Sequence, residues 1–119
     1  MHRAVRFIRH KAKDFGVDPE RLGISGGSAG GHLSAMAALT MNDPQYQPGF
    51  EAADTSVLAA VPFYPPTDLV PLFTFRGKRA NRLADRSAAL VFGASPSVDP
   101  ARFRDWSPIE LVTVSYTHL

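Results

Sequence analysis

The sequence predicts an α/β domain of parallel strands linked by crossover helices, and three observations predict it. Helical and strand-like segments alternate in the order helix, strand, helix, strand, helix. The segment Val57-Leu58-Ala59-Ala60-Val61-Pro62-Phe63-Tyr64 is apolar almost throughout, as a parallel strand covered on both faces would be. A glycine-rich turn, Gly26-Gly27-Ser28-Ala29-Gly30-Gly31, joins the preceding strand to a helix.

The elements follow in order. Val5, Ile8, Ala12 and Phe15 recur at helical spacing and should form one apolar face of a first helix. Arg3, Arg6, Arg9, His10 and Lys13 fall mostly on the other side, and His2 joins His10 on the polar face. A solvated face is expected there, since no aromatic platform for nucleic acid interleaves the charges. Gly16 supplies the left-handed position that ends this helix, with Val17 folding back, and Asp18-Pro19 forms the turn. Arg21 to Gly26 is the first strand, and a second helix should run from His32 to about Thr40, buried on most sides. Asn42-Asp43-Pro44 and Gln47-Pro48-Gly49 make a polar loop before the second strand. Pro62 sits late in that strand, where a lost ladder bond matters least. Thr67 or Asp68 can cap a short helix. Arg76 to Arg86 is basic and polar without periodicity, Asp85 to Phe92 is weakly helical, and Asp99-Pro100 opens a turn of helix toward Trp106.

Composition narrows the chemistry. A chain of 119 residues, 45% hydrophobic and 20% charged, holds one globular domain at most. Cys 0 excludes disulfide scaffolds, zinc–thiolate sites, iron–sulfur clusters and thiol nucleophiles. No apolar run approaches the roughly 18 residues of a membrane span. Met1 to His10 alternates charged with apolar residues, unlike a signal peptide or an anchor. Lys+Arg 13 against Asp+Glu 11 gives a net charge of +2, which does not call for nucleic acid.

The chemistry concentrates at Gly26-x-Ser28-x-Gly30. Strand before and helix after is the setting a nucleophile elbow requires. So tight a turn forces strained backbone on Ser28 and leaves no room for side chains two positions to either side, so both positions are glycine. The strain projects the Ser28 hydroxyl clear of the sheet. It also aims the Ala29 N–H and the positive end of the helix dipole at the place where an oxyanion would form. A dinucleotide fingerprint fails here, because Ser28 or Ser25 stands where its second glycine should be. A phosphate-binding P-loop fails because His32 and Leu33 replace its Lys and Ser/Thr.

Gly26-Gly27-Ser28-Ala29-Gly30-Gly31-His32-Leu33 resembles the elbow of α/β-hydrolase esterases and lipases, near the hormone-sensitive-lipase and acetylesterase-like groups. Asp18-Pro19-Glu20-Arg21-Leu22-Gly23-Ile24 resembles the family's approach to the nucleophile strand, and Phe63-Tyr64-Pro65-Pro66-Thr67-Asp68-Leu69 its next strand end. Phe92-Gly93 and Ser107-Pro108-Ile109 look like its later elements, so the resemblance runs to about Thr113. It implies a partial α/β-hydrolase fold with an incomplete sheet, and a serine hydrolase of small-molecule carboxylic esters without metal or organic cofactor. Ser28 would be the acyl-accepting nucleophile, Ala29 an oxyanion donor, and Gly26, Gly27 and Gly30 the elbow. Tyr64 and Asp68, at the carboxyl end of the next strand, are candidates to line the substrate site. Some members place their acid at the position of Asp68; capping the next helix is the other role open to it.

In that family the acid and the histidine follow the nucleophile, after two further strands, and a glycine-rich oxyanion loop precedes it. None of these occurs here. Residues 1–113 are therefore expected to be a central piece of a hydrolase domain, nearly inactive alone and prone to aggregate through an unpaired strand edge. His32, inside the second helix, is expected to be a structural histidine rather than a base. Residues 114–119, Val-Ser-Tyr-Thr-His-Leu, do not continue the resemblance and look like translated sequencing adapter, a genuine short strand being the alternative. A peptidase or amidase of the same fold and a binding module without chemistry remain the alternatives.

Overall fold

The computed structural model describes residues 1–74 and 86–112. The segments 75–85 and 113–119 lie outside the described residues. With them go most of the basic stretch from Arg76, the Asp85 start of the weak helix and the 114–119 tail. The chain forms two compact units, Met1–Pro65 and Pro66–Leu119.

The first unit opens with α1 (His2–His10) and α2 (Ala12–Phe15), separated at Lys11, where φ is −98° and ψ 9°. Gly16 takes the left-handed conformation at φ 65°. Val17 N–H donates to Ala12 O at 3.0 Å and Gly16 N–H to Lys13 O at 3.2 Å, which is the six-to-one and five-to-two pairing of a Schellman stop. The buried face of these helices differs from the one the sequence pattern predicts. Val5 and Ala12 are buried, but Ile8 and Phe15 are 37% and 55% exposed, and Phe15 meets Phe7 with ring centroids 6.1 Å apart. His2 is buried instead, and only 12% of the Arg9 side chain is exposed.

The physical reason is that polar partners elsewhere in the unit accept these two side chains. The hydroxyl of Thr40 donates to Met36 O at 2.6 Å, so it accepts from His2 Nε2 at 2.9 Å. Arg9 reaches Glu20 at 3.1 Å and Asp54 at 3.2 Å through Nη1. Its Nη2 donates to both the carbonyl and the hydroxyl of Ser56 at 3.0 Å. Two residues read as solvated are thus fasteners.

β1 (Gly23–Gly27) and β2 (Ala59–Phe63) form a two-stranded parallel sheet, in register from Gly23 opposite Ala59 to Gly27 opposite Phe63. Pro62 stands opposite Gly26, one position before the end of β2. α3 (Ala29–Leu39) packs against both strands and buries Gly31, Ser34, Met36 and Ala37. It starts three positions earlier than the sequence reading placed it, because Ser28 itself is the N-cap and no loop intervenes. The expectation of two covered faces for β2 fails among the described residues: Val61 is 52% and Phe63 54% exposed, and Leu58, just before the strand, 71%. Apolar side chains record a strand's need for cover, while other elements must supply it.

A polar clasp closes the loop between α3 and β2. Gln47 is fully buried; its Nε2 donates to the carbonyls of Phe50, Glu51 and Ala53 at 3.3, 2.8 and 2.9 Å. Its Oε1 accepts from Thr55 Oγ1 at 2.7 Å. Thr55 in turn exchanges backbone and side-chain bonds with Asn42.

The second unit comprises α4 (Leu69–Thr74), α5 (residues 86–92), α6 (Pro100–Asp105) and α7 (Pro108–Leu111). Leu69, Ala88 and Phe103 are its buried centre, with Val70, Leu72, Phe73 and Phe92 packed around them. The Phe103 ring lies 4.8 Å from Phe92 and 5.7 Å from Phe73 between centroids. Asp99 caps α6 by accepting the Arg102 N–H at 3.2 Å, as the Asp-Pro pair predicts. Ser107, fully buried, accepts the Leu69 N–H at 3.0 Å and donates to Phe103 O at 2.7 Å.

Candidate active site at the strand ends

Every contact at the candidate site follows from how abruptly β1 becomes α3. Ser28 has φ 52° and ψ −117°, a backbone conformation that L residues rarely adopt and that costs on the order of 1–3 kcal/mol. Two backbone bonds hold it there. Its N–H donates to Phe63 O at 3.1 Å, continuing the ladder past β1, and its carbonyl accepts the His32 N–H at 2.9 Å, the first bond of α3. Ser28 is exposed. As the first helical residue, Ala29 carries an amide with no acceptor inside the helix, next to the positive end of the α3 dipole.

The turn closes only with glycine at particular places. A Cβ on Gly26 would stand 2.6 Å from the carbonyl carbon of Gly30 and 2.7 Å from its oxygen. A Cβ on Gly31 would lie 2.6 Å from Phe63 O and 2.9 Å from Gly26 O. Around Gly30, by contrast, nothing lies within 4 Å of the added atom. The sequence argument for crowding on both sides of Ser28 therefore holds at Gly26 but misplaces the other position by one. The spacing of the motif drew attention to Gly30, whereas the approach of α3 to β2 selects Gly31.

Smaller side chains complete the frame. Ser25 Oγ donates to Val61 O at 2.9 Å, and the fully buried Ser34 donates to Gly30 O at 2.8 Å. The sequence reading assigns neither a part in the frame, because a serine that bonds backbone looks like any other. Successive strand residues face opposite sides of a sheet. Gly26 accordingly faces α3, and Gly27 faces Tyr64, whose phenol oxygen would stand 2.6 Å from a Cβ placed there. Tyr64 immediately follows β2, is 79% exposed and has φ 38°. Asp68 lies in the second unit, where its Oδ1 accepts the Val70 N–H at 3.1 Å in the first turn of α4. His32 is a half-buried residue of α3. Among the described residues no group of His, Asp and Glu is arranged to hold a metal ion, and no helix is long and apolar enough to cross a membrane.

A parallel sheet whose first strand turns through a strained serine into a packed helix is a partial fold of the α/β-hydrolase type. The family described as BD-FAE matches residues 1–118, and the chain belongs to that family. Three proteins of Mycobacterium tuberculosis are similar to it. The probable carboxylic ester hydrolase LipM is 60% identical over 62 residues, which are 52% of this chain and 14% of LipM. Esterase LipQ is 55% identical over 67 residues, 56% of this chain and 16% of LipQ. Esterase LipC is 42% identical over 111 residues, 92% of this chain and 27% of LipC. Among solved structures, a truncated carbohydrate esterase from gut microbiota superposes with a TM-score of 0.67 at 25% identity, covering 93% of this chain and 42% of that one. A bifunctional GH43-CE protein of Bacteroides eggerthii shares the fold, with a TM-score of 0.68 at 22% identity over 93% of this chain and 16% of its own. The chain thus spans 14% to 27% of the length of these curated relatives.

Proposed function

We propose that this chain carries the nucleophile segment of a serine hydrolase of carboxylic esters. The observation that supports this best is the backbone of Ser28, held at φ 52° and ψ −117° between β1 and α3. A strained residue persists only where its surroundings over-determine it, and such residues cluster at reacting centres. Names of relatives add weight in the same direction, since LipM, LipQ and LipC are all called esterases or ester hydrolases.

In this reading the Ser28 oxygen attacks the ester carbonyl while its proton passes to a histidine supplied by sequence beyond this segment. The carbonyl oxygen becomes an oxyanion facing the Ala29 N–H and the α3 dipole. The C–O bond to the alcohol then breaks, the histidine protonates the departing oxygen, and water releases the acid from Ser28 by the same steps. Gly26 and Gly31 serve by keeping the turn tight, and Gly27 by leaving room for the Tyr64 side chain. Asp68 serves α4 as its cap.

The complete gene product provides the test. Ser28→Ala should lower hydrolysis of a nitrophenyl ester at least about a thousandfold, and a fluorophosphonate should label the native protein at Ser28. Activity of the variant within tenfold of the native enzyme would refute the assignment. The isolated 119-residue chain should label slowly, because in this reading the histidine that takes the Ser28 proton comes from sequence beyond this segment.

A further inference from the structure

Three features of Tyr64 have no structural need behind them. Its φ of 38° is an outlier for a bulky side chain, which gains nothing from the left-handed region. The residue is 79% exposed, so burial does not account for its conformation. Among the described residues its hydroxyl has no hydrogen-bond partner. What the conformation does achieve is placement. The phenol oxygen would stand 2.6 Å from a Cβ on Gly27, the residue before Ser28, on the sheet face opposite α3. Phe63, the residue before Tyr64, accepts the Ser28 N–H at 3.1 Å, so the two strained residues are joined through one peptide bond and one hydrogen bond.

We propose that Tyr64 is a substrate-positioning residue, its phenol donating a hydrogen bond to a hydroxyl or ether oxygen near the scissile bond of an ester held at Ser28. This deepens the ester-hydrolase reading, on which it rests, and names the substrate class: oxygen-bearing esters rather than plain alkyl ones. Tyrosine suits that task because its ring offers apolar cover and its tip a donor that also accepts. The oxyanion, on the α3 side, is left to Ala29. Gly27 is what admits the phenol, since a methyl group there would meet it.

Two matched pairs of substrates test this in the complete gene product. Ethylene glycol monobutyrate against propyl butyrate places the extra oxygen in the alcohol half. Ethyl β-hydroxybutyrate against ethyl isovalerate places it in the acyl half. One hydrogen bond to the bound substrate should favour the oxygen-bearing member of one pair by about tenfold in kcat/KM, and the preferred pair identifies the half that Tyr64 reads. Tyr64→Phe keeps the ring, and should bring that ratio to about one by raising KM of the oxygen-bearing member while kcat holds. Gly27→Ala, which displaces the phenol, should lose the same preference. The proposal is overturned if neither pair shows a preference, if Tyr64→Phe retains it, or if Tyr64→Phe lowers both members alike. Ser28→Ala separates the two readings. Loss of all turnover in Ser28→Ala with an unchanged ratio in Tyr64→Phe removes only Tyr64's role, whereas full activity in Ser28→Ala removes both.

Discussion

Replacing Gly31 or Gly30 by alanine makes the same chemical change one residue apart, and the structure demands opposite outcomes. Both positions lie in the first turn of α3, where alanine is preferred over glycine by up to about 1 kcal/mol. At Gly30 the added methyl meets nothing within 4 Å, so Gly30→Ala should stabilise by about 0.5 kcal/mol. At Gly31 the methyl would lie 2.6 Å from Phe63 O and 2.9 Å from Gly26 O, both backbone atoms with no rotamer to move away. Relief requires α3 to back off from the strand ends. Overpacking of this kind costs about 1–3 kcal/mol. The movement also stretches the Ser28 N–H bond to Phe63 O, now 3.1 Å, a further cost of about 1 kcal/mol. After the helical gain is subtracted, Gly31→Ala should lose about 2–3 kcal/mol, separating the two variants by about 3 kcal/mol. Urea unfolding of the complete gene product reads this as a shift in midpoint at constant slope. Equal midpoints, or Gly31→Ala the more stable of the two, would refute the claim that contact between α3 and β2 dictates glycine at Gly31.

Two further predictions concern the rest of the first unit. Gln47→Leu should cost about 2–4 kcal/mol in the same unfolding assay, because it takes the side-chain donor from the Glu51 and Ala53 carbonyls and the 2.7 Å acceptor from the Thr55 hydroxyl, while Phe50 O keeps the Ala53 N–H. A cost below about 0.5 kcal/mol would show that water replaces the amide without penalty. His2 titrates below the ordinary histidine value, chiefly because burial disfavours the imidazolium. With its folded pKa depressed, the unfolded chain binds more protons in the window just below the ordinary value of about 6.5. Stability should therefore be full above that value and fall as the pH drops below it, and His2→Gln should flatten that part of the profile. An identical pH profile in His2→Gln would contradict the buried contact with Thr40.

Local rules carried the sequence reading where it succeeded. The Gly16 stop, the Asp99 cap and the strand-turn-helix setting of Ser28 each depend on residues within about six positions of one another, so their pattern is complete in the chain itself. Family membership was legible for the same reason, because the run from Gly26 to Leu33 is contiguous. Tertiary contact decided the rest. Which face of α1 is buried depends on Thr40, Asp54 and Ser56, far along the chain, and no helical periodicity encodes whether those partners will be present to accept a His and an Arg. On the helix side of the turn the crowded glycine is Gly31 rather than Gly30, because of a carbonyl on β2. Gln47 became a clasp only when the loop folded around it. Tyr64 reads in sequence as the end of an apolar strand; its position over Gly27 follows from strand register and a left-handed φ that composition does not reveal. Short-range geometry is written in the order of residues, whereas the face a side chain presents, and what meets it, depends on atoms brought together only when the chain closes on itself.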